Sequence, residues 1–172
     1  YGGFSINGPK SRDVLNALTI SPKPELKMME CAEFDLDLYR VKISRLSLSG
    51  EMAFEINCLN SEHAGLRNLL LSAGEKIGIK EVGFDAMLSL RLEKSIGIWN
   101  AEFTQGYTLA MTGLDRWCDW DKGDFIGRNA AQKSLNPKQV LTMLEIDADD
   151  ADATGFEPVW QDDDVIGITT SG

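Results

Sequence analysis

The stretch SLSGEMAFEI, residues 47–56, restricts the fold more than any other part of the sequence. From Glu51 to Ile56 its side chains alternate between apolar ones and polar or small ones. Because successive side chains of a strand point to opposite faces, this period of two predicts a half-buried strand. Gly50 places Glu51 at the mouth of that strand, where the backbone is free to bend. The simplest interpretation is an edge strand with one solvated face.

Apolar periodicity and turn-forming residues predict how the rest of the chain divides into strands and helices. Glycine and proline mark the ends of the periodic segments, and several segments begin with a residue typical of helix starts. The predicted elements are a buried strand GGFSI, a helix beginning at Pro9, a loop at 21–26, strands within 38–49, a helix with Ser61 as N-cap, a helix over 84–94, a short helix over 127–135, and β-structure from Val140 onward.

The composition excludes several classes of partner. The chain has 172 residues, of which 43% are hydrophobic, and this is enough for a sizeable core. Acidic residues outnumber basic ones by 27 to 17, giving a net charge of -10. Phosphate binding needs a basic surface, so we expect no nucleic acid partner. No run approaches the roughly 18 apolar residues of a membrane span, so we expect no membrane partner.

Neither the cysteines nor the acidic residues predict a metal site. Cys31, Cys58 and Cys118 are odd in number and far apart, and they match neither a zinc spacing nor a disulfide framework. Such cysteines are typical of a reducing compartment, and we expect a cytoplasmic protein from a bacterium. The acidic run over 147–152 lacks the pattern of an EF-hand loop, so a solvated loop is the simpler interpretation.

One arginine lies on the apolar side of a predicted helix. On a helical wheel for residues 84–94, Arg91 falls at the centre of the apolar stripe, nearly opposite Glu93. A guanidinium does not lose its proton, so a buried Arg91 needs acceptors, and the Glu51 carboxylate is a good match. The two could form a structural ion pair, or the arginine could extend to the surface. Alternatively, they could anchor a planar, amide-like heterocycle in a pocket.

Four segments resemble the aminomethyltransferase family, in the same order along the chain: INGPKSRDVL, SLSGEMAFEI, AMLSLRLEKSIGIW and GLDRWCDWDKGDFIGRNA. That family includes the glycine-cleavage T-protein and the folate-binding C-terminal regions of dimethylglycine and sarcosine dehydrogenases. The RLEKS and KGDFIGR forms look closer to the dehydrogenase branch. The resemblance implies an α+β folate-binding region over 1–136, with an antiparallel sheet and packed helices. The start of a C-terminal β-barrel is implied over 137–172.

The resemblance also implies which residues meet the ligand. The family's glutamate after the glycine contacts the pterin, which carries over to Glu51. The arginine of its LRLE helix lies at the folate site, which carries over to Arg91. Trp99 and Asn100 stand where the family usually has tyrosine and glycine, so Trp99 is the candidate stacking surface. The family's catalytic aspartate lies upstream of the strand matching YGGFSI, so we expect a fragment without a catalytic residue.

The activity implied by the resemblance is one-carbon transfer to tetrahydrofolate from a small methylated amine. FAD is expected only if an upstream oxidoreductase domain exists, and a lipoyl-carrier protein is another expected partner. One alternative is a folate-dependent demethylase that takes a methyl group from a sulfonium or methoxy donor. Another is a non-catalytic folate-binding module. Lys94 could meet the negative tail of a polyglutamyl folate, although a lysine at a helix end is more often only solvated.

Overall fold

A computed structural model describes residues 1–23 and 25–172 and divides the chain into two compact units, Tyr1–Ile96 and Gly97–Gly172. The loop predicted for residues 21–26 includes residue 24, which lies outside the described residues. Of the remaining loop positions, Ser21 forms the end of a short strand and the others have no regular structure. Helices and an antiparallel sheet occur together, which confirms the α+β class.

Five antiparallel strands make up the sheet of the first unit, in the order β1-β5-β4-β3-β2. The strand predicted from the alternating segment begins at Ala53 and lies inside the sheet, between β1 and β4, so the edge-strand interpretation is wrong. Ala53 is buried, although its place in the alternation predicted the solvated face. The strands are β1 Gly2–Asn7, β2 Ile20–Ser21, β3 Cys31–Leu36, β4 Tyr39–Ser44 and β5 Ala53–Cys58.

Two of the strand predictions in this unit need correction. The strand material predicted within 38–49 ends at Ser44. Beyond it, Ser49 is buried and forms side-chain hydrogen bonds, which favour a bent backbone over a ladder. Strand β1 exists as predicted, but only Ile6 in it is fully buried, because β1 forms one end of the sheet.

Three helices belong to the first unit: α1 Ser11–Ala17, α2 His63–Gly74 and α3 Phe84–Glu93. The first begins two residues later than predicted, with Lys10 as its N-cap and Pro9 in the preceding turn. Ser61 is not an N-cap, because a short 3-10 helix, Asn60–Glu62, precedes α2. The prediction for residues 84–94 is confirmed to within one residue.

The core of the first unit lies between the sheet and the first two helices. Helix α1 contacts α2 and β5, and α2 contacts β1. Burying this apolar surface is the main source of stability for such a layered arrangement. The buried residues of the cluster are Ile6, Val14, Leu15, Leu18, Ile20, Leu26, Phe34, Leu36, Val41, Ile43, Phe54, Ile56, Cys58, Leu66 and Leu70.

The second unit contains a helix, α4 Arg128–Lys133, and a two-stranded antiparallel sheet of β6 Pro158–Gln161 and β7 Asp164–Ile168. Helix α4 agrees with the short helix predicted from the sequence. The β-structure predicted from Val140 onward is wrong for residues 140–146, which have no regular structure. The C-terminal barrel and the domain boundary after residue 136 remain predictions.

None of the helices in the described part of the chain combines the length and apolar character that a membrane crossing requires. Across residues 1–23 and 25–172, no three His, Cys, Asp or Glu side chains are grouped so that they could hold a metal ion.

Candidate functional site

The C-terminal turn of α3 is closed by a Schellman motif. The N–H of Ile96 donates to the carbonyl of Arg91 at 2.9 Å, and the N–H of Ser95 donates to the carbonyl of Leu92 at 2.8 Å. Ser95 has φ 56°, the left-handed conformation that this motif requires after a helix end. The motif therefore reverses the chain sharply just beyond Lys94 and fixes the position of that residue.

Arg91 is the buried residue of α3, with an exposed fraction of 2%. One nitrogen of its guanidinium donates to the carbonyl oxygen of Ile96 at 3.1 Å. The same two residues are already joined through the backbone, so Arg91 contacts both polar groups of the Ile96 main chain. The prediction that Arg91 would be buried is confirmed, and one of its contacts holds the helix end in place.

A bend at Gly50 packs against this helix end. Gly50 has φ +76°, a left-handed conformation that costs little only for glycine. A Cβ atom at this position would lie 2.6 Å from Cγ of Lys94 and 3.1 Å from Cδ1 of Ile96. Both distances are too short for carbon atoms. The glycine therefore provides both the bend and the space for the aliphatic stem of Lys94.

Glu51 forms an ion pair with the residue that caps α3. Its Oε1 atom lies 3.1 Å from Nζ of Lys94, and the two side chains are 40% and 48% exposed, respectively. Both groups remain in partial contact with solvent, so this pair by itself adds little to stability. The Glu51 carboxylate therefore lies beside the end of α3 and remains accessible from outside.

The bend that carries Glu51 is also attached to β1 and α1. The hydroxyl of buried Ser49 donates to Oδ1 of Asn7 at 3.1 Å and accepts from the N–H of Glu51 at 3.3 Å. The carbonyl of Met52 accepts from the Ser11 hydroxyl at 2.9 Å. These bonds hold the bend on both sides of Glu51, so the carboxylate projects from a fixed backbone.

The structure therefore places two of the three predicted site residues at one helix end. Glu51 contacts Lys94, and the backbone N–H of Lys94 donates to the carbonyl of Arg91 at 3.2 Å. Trp99 belongs to the second unit, is 78% exposed, and meets Phe103 edge-on with ring centres 5.9 Å apart. The assignment of these residues to a ligand stays a prediction.

Sequence reasoning missed the direct partner of Glu51. The sequence indicates Lys94 only as a possible contact for a polyglutamyl folate tail. It favours Arg91 as the counter-ion of Glu51, because of the position of Arg91 on the helical wheel. The i, i+3 spacing of Arg91 and Lys94 was an available signal, since residues so spaced lie on neighbouring parts of a helix surface.

Asn100 accounts for one departure from the family pattern. It has φ 67° and stands where the resemblance expects glycine. Asparagine tolerates the left-handed conformation better than most residues, so the backbone at this position can keep the same form.

Cavities among the described residues lie away from this helix end, each within one unit. The larger, of about 430 Å³, is lined by residues around Thr108, Ser134 and Lys138. The smaller, of about 310 Å³, lies over β1 and β5 beside Ser5, Glu55 and Asn57. None of Glu51, Arg91 and Trp99 lines either cavity.

His63 and the acidic run at 147–152 do not belong to the candidate site. The ring of His63 stacks on that of Phe4, with centres 4.1 Å apart, which is a packing contact. Among the described residues the run at 147–152 belongs to no group that could hold a metal ion.

Comparison with known proteins identifies the family. Residues 1–122 match the family model described as the GCVT N-terminal domain, and the chain therefore belongs to that family. It is 32% identical over 177 residues to the mitochondrial dimethylglycine dehydrogenase of Mus musculus, covering 100% of this chain and 20% of that protein. It is 30% identical over 178 residues to the aminomethyltransferase of Acidobacterium capsulatum, covering 100% of this chain and 47% of that protein.

A further aminomethyltransferase, from Koribacter versatilis, is 32% identical over 174 residues, and the match covers 98% of this chain and 46% of that protein. The resemblance deduced from the four sequence segments is thus confirmed. The chain spans about a fifth of the dimethylglycine dehydrogenases and just under half of the aminomethyltransferases it matches.

Proposed function

We propose that the protein containing this chain binds tetrahydrofolate and transfers a one-carbon unit to it. The observation that carries this proposal is the accessible carboxylate of Glu51, on a hydrogen-bonded bend at the end of α3, in a chain of the GCVT family. Relatives named aminomethyltransferase and dimethylglycine dehydrogenase support the same activity. When bound, tetrahydrofolate supplies the nitrogen atoms that accept the one-carbon unit.

The residues present suit such a ligand. A reduced pterin presents adjacent N–H donors along one edge, and a carboxylate accepts several hydrogen bonds through its two oxygens. Glu51 is accessible and projects from a backbone that is held on both sides. In the second unit, taken by itself, Trp99 presents an exposed indole of the kind that stacks on planar rings.

Arg91 has a different part in this proposal from the one that the sequence favoured. Its guanidinium is buried and donates to the Ile96 carbonyl. We assign it the role of holding the helix end, and thereby Lys94 and Glu51, in the form that receives the ligand. Loss of Arg91 would then weaken folate binding even without direct contact to the ligand.

The one-carbon donor in this proposal is a small methylated amine. The name of the dimethylglycine dehydrogenases supports this class of donor. The donor is tested by supplying the full-length protein with tetrahydrofolate, dimethylglycine and a two-electron acceptor, which is needed to oxidise the N-methyl group, and measuring methylene-tetrahydrofolate. Formation of methyl-tetrahydrofolate from a sulfonium or methoxy compound, with no product from the amine, would point to a demethylase instead. We propose FAD as a second cofactor only if the full-length protein has an oxidoreductase domain.

The binding site is tested by calorimetric titration of folinic acid, a stable reduced folate, into the full-length protein. We expect Glu51→Gln to weaken binding by roughly 10- to 150-fold, because charge-assisted hydrogen bonds contribute about 1.5–3 kcal/mol. Arg91→Lys should also weaken binding, because it alters the helix end that holds Lys94 beside Glu51. Circular dichroism of each variant would show whether the fold is retained.

Glu81→Gln is the matched control for Glu51→Gln. Glu81 is a partly exposed carboxylate of the same unit and is paired with Arg67 through a 2.7 Å hydrogen bond. We expect this variant to bind folate as the wild type does. Equal binding by wild type and Glu51→Gln would refute the site assignment, and absence of binding to the folded wild type at millimolar ligand would refute the folate proposal.

A further inference from the structure

We infer that Lys94 is a positioning residue for the ligand-binding carboxylate of Glu51. The inference rests on the proposed folate function and adds to it a residue that acts through Glu51. It starts from three contacts: the 3.1 Å ion pair between Lys94 and Glu51, the packing of the Lys94 stem against Gly50, and the Schellman motif that follows Lys94.

The Lys94 side chain has less freedom than most exposed lysines. A lysine side chain normally samples many rotamers, and an exposed ion pair holds it poorly. Here the stem lies directly over Gly50, where even one added methyl group would come within 2.6 Å of Cγ. The backbone of Lys94 is fixed by the helix end. The Lys94 ammonium group is therefore held at one position beside the Glu51 carboxylate.

The Glu51 carboxylate keeps acceptor positions that Lys94 does not use. Two ionised oxygens offer about four lone-pair positions, and Lys94 uses one of them on Oε1. The other positions, including both on Oε2, can accept from N–H groups of a ligand. Because rotation of Glu51 would break the ion pair, Lys94 favours the rotamer that keeps this contact, in which the Glu51 side chain is still 40% exposed. It thereby lowers the ordering cost that the ligand would otherwise meet.

Gly50 allows the Lys94 stem to reach this position. Its positive φ and the absence of a side chain are both needed for the Lys94 stem to pass over the bend. Gly50, Glu51 and Lys94 thus form one unit, in which the glycine admits the lysine and the lysine orients the carboxylate. The sequence shows that Gly50 precedes Glu51, but it does not show that this glycine leaves space for Lys94.

The experiment is a folinic acid titration of the full-length wild type, Lys94→Met, Lys94→Arg, Glu51→Gln and the double variant Lys94→Met/Glu51→Gln. We expect Lys94→Met to bind about three- to tenfold more weakly than wild type, and Lys94→Arg to recover most of that loss. In the Glu51→Gln background, Lys94→Met should have no further effect, because Lys94 acts only through Glu51.

Arg67→Met is the matched control, since it breaks a similarly exposed ion pair with Glu81 in the same unit. It should bind as wild type, and an equal loss in this variant would overturn the inference. If Lys94→Met weakens binding further in the Glu51→Gln background, Lys94 contacts the ligand directly and the positioning role is wrong.

Two other outcomes separate this inference from the proposed function. If wild type binds, Glu51→Gln binds weakly and Lys94→Met binds as wild type, only the role of Lys94 is overturned. If the folded wild type binds no folate, the proposed function and the role of Lys94 fail together.

Discussion

Arg91 and Ile96 are joined by two reciprocal hydrogen bonds. The Arg91 carbonyl accepts from the N–H of Ile96 at 2.9 Å, and the Arg91 guanidinium donates to the Ile96 carbonyl at 3.1 Å. The first bond closes the last turn of α3. The second satisfies a carbonyl in the chain beyond it, where no helical donor is available. Arg91 therefore stabilises the helix end from both its backbone and its side chain.

We predict that Arg91→Met destabilises the protein by about 1–3 kcal/mol, because it leaves polar groups at the helix end without their charged donor. The measurement is urea unfolding followed by circular dichroism. Arg67→Met is the comparison, because Arg67 is a partly exposed arginine of the same unit. Its loss should cost less than about 1 kcal/mol. Equal costs for the two variants would mean that the buried position of Arg91 has no energetic importance.

We predict that Gly50→Ala is more destabilising than Gly78→Ala by about 1–3 kcal/mol. Both glycines have positive φ, +76° and +88°, so both variants incur the left-handed conformation of alanine. A Cβ at Gly78 meets nothing within 4 Å, whereas a Cβ at Gly50 collides with the Lys94 stem. The difference in unfolding free energy thus isolates the collision. A difference near zero would show that Lys94 moves aside at no cost.

The elements predicted best were those whose pattern is local. Helix α3 was placed to within one residue, and Arg91 was correctly identified as buried from its wheel position. The start of β5 was misplaced by two residues, because Glu51 and Met52 continue the alternation of the strand. Their backbone is instead held in a bend by the hydroxyl of Ser49, which is close in sequence, and by that of Ser11, which is distant in sequence. Alternation alone carries no information on such side-chain bonds.

The structure brings Glu51 and Arg91 to one helix end, but the sequence did not reveal the ion-pair partner of Glu51. Charge and helix position favoured Arg91 as the partner of Glu51, but the direct partner is Lys94. That choice depends on the Gly50 bend meeting the C-terminal turn of α3, a tertiary contact with no sequence period. Likewise, the segment at 140–146 has an apolar composition typical of strands but forms no ladder among the described residues. A strand needs a partner as well as a suitable sequence.

We predict weak protection from hydrogen exchange in β6 and β7 compared with β4 and β5. The small sheet has only two strands, and Trp160, Val165 and Ile168 on it are each more than half exposed. A two-stranded sheet with exposed apolar side chains is marginally stable and prone to association. Hydrogen exchange read by mass spectrometry tests this with the chain of residues 1–172.

The strand β5 provides the internal reference for that experiment, because Phe54 and Ile56 in it are fully buried. Exchange in β7 as slow as in β5 would contradict the prediction. Strong protection of β7 in a longer protein, together with weak protection in the 172-residue chain, would show that further residues cover this sheet.

We predict an alkaline loss of stability that depends on Cys58. Burial raises the pKa of this thiol above its ordinary value of 9.0, and the negative charge of Glu62 raises it further, partly offset by the N-terminal charge. Below pH 9.0 the thiol is protonated in both states, and its contribution to stability is fully present. As the pH rises toward the folded pKa, the unfolded chain loses the proton first. The free energy of unfolding then falls.

The measurement is the urea midpoint between about pH 8 and about pH 10.5, compared between wild type and Cys58→Ala. We expect the variant to show a shallower alkaline decline, even though its lost side-chain volume lowers stability at every pH. Cys31→Ala is the control, because Cys31 is exposed. It should retain the decline of the wild type. Identical slopes for wild type and Cys58→Ala would mean that the buried thiol does not titrate differently in the two states.

Labelling with a thiol reagent at neutral pH should agree, modifying Cys31 much faster than Cys58, which is 1% exposed.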